Sequence, residues 1–362
     1  MSRKSKLTTA QVITNAERIF HNIRWGFGIV VCPYCGSVHI REYDGYRYKC
    51  NSCKMRFTDR TRTVMHGSKL SVRIWMQAVY EMFTDNFISS NVLAVKLGIN
   101  QKSAWLLQTK LRYCMKQDDV KLSGVVAQDE MYIGGCLSNF HYSRKWKLLR
   151  EMKYVREGDK RYTKDAIFRL NAALKQPVFG MNDGNKIVLS AMPNGIKKQY
   201  LWKVNRHHVE TGSITVSDES KLYNEWEKNT GCPIYTNNHH DNQYTTKNGL
   251  TSNRIENNFS WYKRGFGGRI THCKYHQYYL NEFAFRYNTR DMSTEDRFNE
   301  MLKRTIGMTV TYKDIRAYEP YKGLDIQKKK ELTFEQIKLL VTSGTISELI
   351  QNGKIYTRKD FI

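Results

Sequence analysis

The stretch from Val125 to Gly135 is Val-Val-Ala-Gln-Asp-Glu-Met-Tyr-Ile-Gly-Gly. Apolar residues stand on both sides of two adjacent acids, and a glycine pair ends the run. This pattern predicts a strand followed by a turn or a close backbone approach. A carboxylate in a buried strand is costly unless a cation or a metal ion accompanies it. The alternative is an edge strand whose Asp129 and Glu130 merely face water, and this stretch alone leaves both interpretations open.

The residues downstream of this stretch favour a larger sheet. Strands are expected at 177–181, 186–192 and 213–218, with a turn at 182–185, a polar helix near 196–209 and a helix after Asp218. Three strands, a helix and a fourth strand are the chain order of an RNase H-like sheet. In that architecture the first and fourth strands are neighbours, so Asp129 and Asp218 are expected to lie close together in an α/β domain over residues 122–300.

A third acid lies in a predicted helix from about Thr251 to Gly265. One stripe of this helix is polar and consists of Asn253, Glu256, Ser260 and Lys263, at positions i, i+3, i+7 and i+10. The opposite face is apolar. Such a stripe is more often a solvated face than a site. Here a single carboxylate with an amide one turn before it and a lysine two turns after it suits a metal ligand with a phosphate contact behind it.

Four of the eight cysteines have the spacing C-x2-C-x14-C-x2-C, at Cys32, Cys35, Cys50 and Cys53. Two such pairs place four thiolates around one Zn²⁺, and the metal supplies folding energy that so small a module cannot obtain from a core. The spacing predicts a zinc ribbon over residues 25–60. Two disulfides are the disfavoured alternative, because the other cysteines are scattered singly, as in a reducing compartment. The ribbon could bind DNA, bind protein or brace the segment after it.

A helix-turn-helix pattern is expected within residues 68–118. Apolar residues recur at helical spacing from Leu70 to Met82, and Gly98 then separates two short helical runs. The second helix, about 101–115, is expected to expose these polar residues: Gln101, Lys102, Ser103, Gln108, Lys110 and Arg112. Gln101, Lys102 and Ser103 are therefore candidate contacts to the major groove of DNA. An ordinary pair of packed helices is the alternative.

The net charge points to a polyanionic partner. Lysine and arginine number 59 against 34 aspartate and glutamate, which gives a formal charge of +25 over 362 residues. Such an excess destabilises a compact chain by self-repulsion, and nucleic acid is the usual partner that relieves it. No apolar run is long enough for a membrane span and no signal-peptide pattern is evident at the N-terminus, so we expect a cytoplasmic DNA-binding protein with no membrane partner.

The remaining segments are less informative. Residues 1–24 predict a basic tail and a helix, and 278–288 predict an aromatic-rich helix packed on the sheet. The basic segment 144–164 is expected to be a loop, either solvated or in contact with nucleic acid. The extension 301–362 contains Lys328-Lys329-Lys330 and a capping-box signal at Thr333, and its role stays open.

Several motifs occur in the order found in one family. They are the ribbon followed by Phe57-Thr58-Asp59, the run Thr63–Leu70, Asp129-Glu130-x-Tyr132-Ile133-Gly134-Gly135, Ser217-Asp218-Glu219, Asn253-x-x-Glu256 with Lys263, and Glu282-Phe-Ala-Phe-Arg-Tyr-Asn288. Over residues 25–290 the chain resembles the DDE transposases of bacterial insertion sequences that carry an N-terminal zinc ribbon (the ISXO type). Each motif alone is weak, and the ordered set is specific.

The resemblance implies a function and its residues. Asp129, Asp218 and Glu256 would be the catalytic acids and would hold two Mg²⁺ or Mn²⁺ ions, while Lys263, with Asn253 nearby, would contact DNA phosphate. Such an enzyme cleaves double-stranded DNA at transposon ends and transfers the strands to target DNA, as a homo-oligomer on DNA. Two alternatives stay open: a non-catalytic regulator derived from a transposase, and an RNase H-like nuclease that does not join strands.

Overall fold

The structure is a computed structural model. It describes residues 14–26, 28–84, 87–134, 140–156, 161, 163–192, 195–218, 220–237, 250–266, 275–321, 334–342, 348–351 and 354–360. The chain forms two compact units. The first consists of Met1–Lys116 and Thr289–Glu319, and the second of Gln117–Asn288 and Pro320–Ile362. No helix in these described ranges is long and apolar enough to cross a membrane.

The elements are numbered in chain order. The helices are α1 Ala16–Trp25, α2 Val72–Thr84, α3 Ser90–Leu97, α4 Gln101–Cys114, α5 Tyr142–Glu151, α6 Lys164–Ala173, α7 Lys198–His208, α8 Trp226–Thr230, α9 Asn253–Phe266, α10 His276–Asn288, α11 Thr294–Arg304, α12 Tyr312–Ala317 and α13 Phe334–Thr342. The strands are β1 Ile40–Tyr43, β2 Arg47–Cys50, β3 Arg56–Thr58, β4 Val125–Ile133, β5 Gln176–Asn182, β6 Ile187–Ala191, β7 Ile214–Asp218, β8 Ile234–Asn237, β9 Glu348–Gln351 and β10 Lys354–Thr357.

Strands β1, β2 and β3 form an antiparallel sheet in the first unit. The turn between β1 and β2 contains Gly45, whose φ of 72° is a left-handed conformation that glycine adopts without strain. The small apolar cluster of this sheet contains Tyr48 stacked on Phe57, with ring centroids 5.2 Å apart, and the buried Cys32 and Cys50. A cluster of this size leaves the module dependent on another source of folding energy.

Helices α3 and α4 form the predicted helix pair, and local capping defines the turn between them. The Ser89 side chain accepts a hydrogen bond from the Val92 amide at the start of α3, and the Asn100 side chain caps α4 through the Ser103 amide. Gly98 ends α3 in the left-handed conformation, with φ 64°. These interactions explain why helix, turn and helix could be placed from sequence.

The expected exposure of α4 is wrong at two positions. Gln108 and Arg112 are buried, at 1% and 3% exposed. The Gln108 side-chain amide donates a 2.9 Å hydrogen bond to the Ile88 carbonyl oxygen. This buried side chain therefore pairs with a backbone group and is not available to a ligand. The start of α4, by contrast, is accessible, since Gln101 and Lys102 are exposed and Ser103 is half-buried.

Residues 289–319 belong with the first unit, which differs from the boundary expected at residue 300. Helix α11 packs against α1 and α2, and α12 packs against α4. The Val64 amide donates to the Thr305 carbonyl, and Thr63 and Ile306 form an isolated antiparallel bridge. These contacts join residues far apart in the chain, and the periodicity of a sequence cannot predict such contacts.

The second unit is built on a mixed five-stranded sheet with the order β6-β5-β4-β7-β8. The pairs β6–β5 and β5–β4 are antiparallel, whereas β4–β7 and β7–β8 are parallel. The expected adjacency of the first and fourth strands is therefore confirmed. The fifth strand, β8, was not anticipated, because its four residues follow a short helix without a clear alternating pattern.

Helices cover both faces of this sheet. On one face α9 packs against β4 and β5, and the aromatic-rich α10 packs against β6, as expected for 278–288. On the other face a buried cluster contains Phe179 and Met181 of β5, Leu201 and Val204 of α7, and Trp226 of α8. The polar helix expected near 196–209 is α7.

The chain beyond residue 333 adds α13 and the antiparallel hairpin β9–β10 to the second unit. Ile337 and Val341 of α13 and Leu349 of β9 form a small buried cluster with Ile214 of β7. The helix signal near Thr333 is therefore confirmed by α13. The following sequence-based features lie outside the described residues: residues 1–13, Gly135, Glu219, Lys328-Lys329-Lys330 and Thr333 itself.

The basic segment 144–164, expected to be a loop, is helical over 144–151 and at Lys164, so the expectation is wrong for those residues. Helices α5 and α6 form a pair with its own apolar cluster, which includes Leu149, Ala166, Leu170 and Leu174. Charged residues at most exposed positions of these helices obscured the sparse apolar positions that pack between them.

His276 supplies a pH-dependent contribution to stability. Its ring is 2% exposed, and its Nε2 lies 2.7 Å from the Tyr262 hydroxyl. Burial lowers its pKa to about 4. Between about pH 6.5, the ordinary histidine value, and pH 4 the unfolded chain binds a proton that the folded chain does not. We therefore expect the free energy of unfolding to fall by up to about 3 kcal/mol as the pH is lowered through this window.

Urea unfolding at pH 7 and pH 4.5 measures this effect. The His276→Gln variant should lose that part of the pH dependence, while His141→Gln, which changes an exposed histidine of the same unit, should keep it. Equal pH dependence in wild type and His276→Gln would contradict the assignment.

Candidate active site

The predicted acids lie where β4 and β7 diverge. These strands are paired in parallel register only from Val125 and Ile214 to Ala127 and Val216. Asp129 and Asp218 come two residues later on each strand, just beyond the last pair. A gap at the carboxyl ends of adjacent parallel strands is a common ligand site in α/β sheets.

Asp129 faces helix α9. It is the register partner of Gly180 on β5, and directly opposed residues project from the same face of a sheet. A Cβ atom on Gly180 would lie 2.6 Å from the ring of Phe259 and 2.8 Å from Ile255, both on α9. The absent side chain at Gly180 thus lets α9 lie against the sheet beside Asp129.

Glu130 emerges on the opposite face. Its register partner is Phe179, which contacts Trp226 edge to face at 6.5 Å. The Tyr223 hydroxyl, on the same side, donates a 2.5 Å hydrogen bond to Glu130 Oε1. Glu130 was not among the predicted site residues, because strand alternation places it and Asp129 on different faces.

The carboxylates of Asp129, Glu130 and Asp218 nonetheless meet. One oxygen from each lies within 4.8 Å of the others. The pKa of Asp129 is raised to about 7, mainly by burial and also by the negative charges of Glu130, Asp218 and Glu256, against the Glu130 backbone amide, which stabilises the charged form. Burial likewise raises the pKa of Glu130 to about 7, against the Tyr223 hydrogen bond. Raised pKa values of this kind arise where partly buried carboxylates repel one another, and a cation bound between them would lower these values.

Glu256 lies in the first turn of α9 and is exposed. Its Oε1 accepts a 2.9 Å hydrogen bond from the Ser252 hydroxyl. Glu256 lies outside the group of three carboxylates, but its negative charge contributes to the raised pKa of Asp129. Asn253 and Lys263 are both exposed on the same helix, one turn before and two turns after Glu256.

Gly180→Ala is expected to displace α9. The added methyl group would overlap Phe259, which is 5% exposed and cannot turn away, so we expect a loss of about 1–3 kcal/mol in the free energy of unfolding. Thermal unfolding of the full chain measures it. The double variant Gly180→Ala with Phe259→Leu removes the overlapping ring atoms and should recover part of the loss; an additive double variant would show that crowding at α9 is not the cause.

The four predicted zinc ligands also lie together. The Sγ atoms of Cys32, Cys35, Cys50 and Cys53 all lie within 4.8 Å of one another, and the pairs Cys32–Cys53 and Cys35–Cys50 are 3.6 Å apart. Four sulfurs about 2.3 Å from one central ion have nearly this spacing. The donor set and its geometry therefore fit a structural zinc ion.

The candidate DNA contacts of α4 lie at its exposed start. Lys102 projects into solvent, whereas the Gln101 side-chain amide donates to the Ser90 hydroxyl at 2.8 Å and the Ser103 amide is used by the Asn100 cap. To contact DNA through its side-chain amide, Gln101 would have to give up its hydrogen bond to Ser90.

Residues 121–288 match the ISXO2-like transposase domain, and residues 14–56 match the transposase zinc-ribbon domain. Together the two ranges cover more than half of the chain. The chain belongs to the ISXO2-like transposase family. The first range of this transposase contains Asp129, Glu130, Asp218 and Glu256, and the second contains all four clustered cysteines.

One relative of this transposase is similar to it over part of its length. An uncharacterized protein in transposable element ISH50 of Halobacterium salinarum is 30% identical over 122 residues, which are 33% of this chain and 41% of that protein. The match therefore spans less than half of the relative's length. No solved structure matches the chain.

Proposed function

We propose that this transposase cleaves double-stranded DNA at transposon ends and transfers the released strands to target DNA, using an RNase H-like sheet. Three carboxylates with oxygens within 4.8 Å of one another, in the gap between β4 and β7, carry this proposal. A structural or regulatory DNA-binding protein has no use for half-buried acids that repel one another.

The acids fit divalent cations. Mg²⁺ and Mn²⁺ prefer carboxylate oxygens, and neither a thiolate nor an imidazole belongs to this group of three side chains. Two such ions, when bound, supply activation of the attacking oxygen and stabilisation of the leaving oxygen at a phosphodiester.

The side chains have separate roles in this proposal. Asp129 and Asp218 would hold the metal ions from adjacent strands, and Glu256 would contribute its carboxylate from α9, oriented by the Ser252 hydroxyl. Glu130, held by Tyr223, adds a fourth carboxylate from the other face of the sheet. Water attacks the DNA phosphodiester in the first step and a DNA 3′-hydroxyl attacks target DNA in the second, so no covalent link to the chain forms.

The remaining elements are assigned to DNA. Lys263 and Asn253 lie on the exposed side of α9 next to Glu256, where a strand at the acids would bring its phosphates. Helices α3 and α4 act as a helix-turn-helix, with Gln101, Lys102 and Ser103 at the accessible start of α4. Cleavage at two ends requires them to be paired, so the chain acts as a homo-oligomer on DNA, in the cytoplasm.

A strand-transfer assay separates this function from its alternatives. DNA flanking the gene is searched for short inverted repeats, end-labelled, and incubated with the full chain and Mg²⁺ or Mn²⁺. Metal-dependent nicks at the repeat boundaries together with joined products are expected. Nicks without joined products would indicate a nuclease, and binding without any nick would indicate a regulator.

A further inference from the structure

A second site lies on α9, away from the stripe that carries Glu256. A cavity of about 530 Å³ is lined by the exposed side of α9, the turn after β5 and the end of α10. Its volume falls within the range of about 300–1,000 Å³ that is usual for small-ligand sites. Arg254, Asn257 and Trp261 line it from α9, at positions i, i+3 and i+7, and so form one stripe of that helix.

Trp261 offers an aromatic face. Its side chain is 52% exposed, although the neighbouring aromatic residues of α9, Phe259 and Tyr262, are buried. It therefore contributes little to the packing of α9 on the sheet. Tyr287 of α10 lines the same cavity, which makes the pocket partly aromatic.

Arg254 places a positive charge at the N-terminal end of α9. It lies in the first turn of α9, where the helix dipole favours acids over cations. Its Nη1 lies 3.0 Å from the position a Cβ would take on Gly184, so the guanidinium extends over the turn after β5. Within the described ranges, Arg254 and Asn257 form neither an ion pair nor a hydrogen bond through their side chains.

Asp183, the acidic residue that lines the cavity, is hydrogen-bonded to the backbone. Asp183 accepts hydrogen bonds from the backbone amides of Ser123, Asn185 and Lys186, at 3.2, 2.9 and 2.7 Å. It stabilises the turn and forms no ion pair with Arg254. Among the residues that the structure describes, the cavity thus combines an aromatic face, a free amide and an unpaired guanidinium.

We propose that this cavity holds one unpaired nucleotide of the DNA, with its base stacked on Trp261, its base edge hydrogen-bonded to Asn257 and its phosphate bound to Arg254. Stacking on an exposed aromatic ring and contact of phosphate with arginine are the two interactions by which proteins hold unpaired nucleotides. This inference rests on the proposed function, because the DNA bound for cleavage would supply the nucleotide and the cavity lies on the helix that carries Glu256.

Binding of a bulged duplex tests the proposal without cleavage. The full chain is titrated, with no added divalent metal, with a mixed-sequence duplex that carries one unpaired 2-aminopurine, and with the same duplex fully paired. We expect about tenfold tighter binding of the bulged duplex, as one base-stacking contact provides, and quenched 2-aminopurine fluorescence in the complex. Trp261→Ala should remove both the preference and the quenching while leaving affinity for the paired duplex unchanged.

Three further variants sharpen the test. Trp261→Phe keeps an aromatic face and should keep the preference, and Arg254→Gln should reduce it. Phe168→Ala removes an aromatic side chain that is 73% exposed on α6, outside the cavity, and should behave as wild type. Equal affinity of the wild type for both duplexes, or a preference that survives Trp261→Ala, overturns the proposal. Because cleavage is assayed separately with Mg²⁺, either result leaves the proposed function standing.

Discussion

The Asp129→Asn variant is expected to lose DNA cleavage by at least about a hundredfold, while its affinity for DNA stays within a few-fold of wild type. The amide keeps the shape of the side chain but removes a charged oxygen from the group formed with Glu130 and Asp218. Metal-assisted phosphoryl transfer depends on such charges for several kcal/mol of transition-state stabilisation. Single-turnover cleavage of end-labelled DNA at saturating protein measures the loss.

A matched substitution controls for the change of residue type. Asp165→Asn makes the same replacement on α6 of the same unit, where the carboxylate is exposed and pairs with Arg169. The Asp165→Asn variant should cleave DNA as the wild type does, since exposed ion pairs of this kind contribute little to the stability of the fold. Asp129→Asn protein that cleaves normally would remove Asp129 from the site and, with it, the proposed role of the β4–β7 gap.

Loss of one zinc ligand should unfold the ribbon. In Cys50→Ser we expect zinc content to fall from one ion per chain towards zero and residues of β1, β2 and β3 to become sensitive to protease. Zinc supplies on the order of 10 kcal/mol to such modules, and the cluster around Tyr48 and Phe57 is too small to replace it. Metal analysis of the purified protein and limited proteolysis measure the two effects.

Cys232→Ser is the corresponding control. This cysteine is also buried, at 1% exposed, but belongs to the second unit and not to the group of four sulfurs. It should retain one zinc ion and a protease-resistant ribbon. Full zinc content in Cys50→Ser would show that the metal is held elsewhere.

The sequence predicted those parts of the fold that depend on local signals. The cysteine spacing located the ribbon, Gly98 located the α3–α4 turn, and the order of strands and helices placed β4 next to β7. The ribbon and the turn rest on a few neighbouring residues with strong preferences, whereas the adjacency of β4 and β7 was expected from the chain order of an RNase H-like sheet.

The parts that the sequence did not predict depend on long-range contacts. The burial of Gln108 and Arg112, the association of 289–319 with the first unit and the strand β8 all arise from packing between distant segments. Glu130 was missed because alternation along a strand places it and Asp129 on opposite faces, whereas the folded chain brings one oxygen of each within 4.8 Å of the other. Gly180 gave no sequence signal, since its role depends on Phe259, far along the chain.

The helices α5 and α6 occupy the connection between two strands that are already paired to its ends. Ile133 and Gln176 are register partners, so the chain leaves β4 and re-enters β5 at adjacent points of one ladder. The segment between them also has an apolar cluster of its own. Lengthening a loop whose ends stay together costs little entropy. We therefore expect that replacing this segment of the chain by a shorter one would leave the β4–β5 register, and with it the position of Asp129, unchanged.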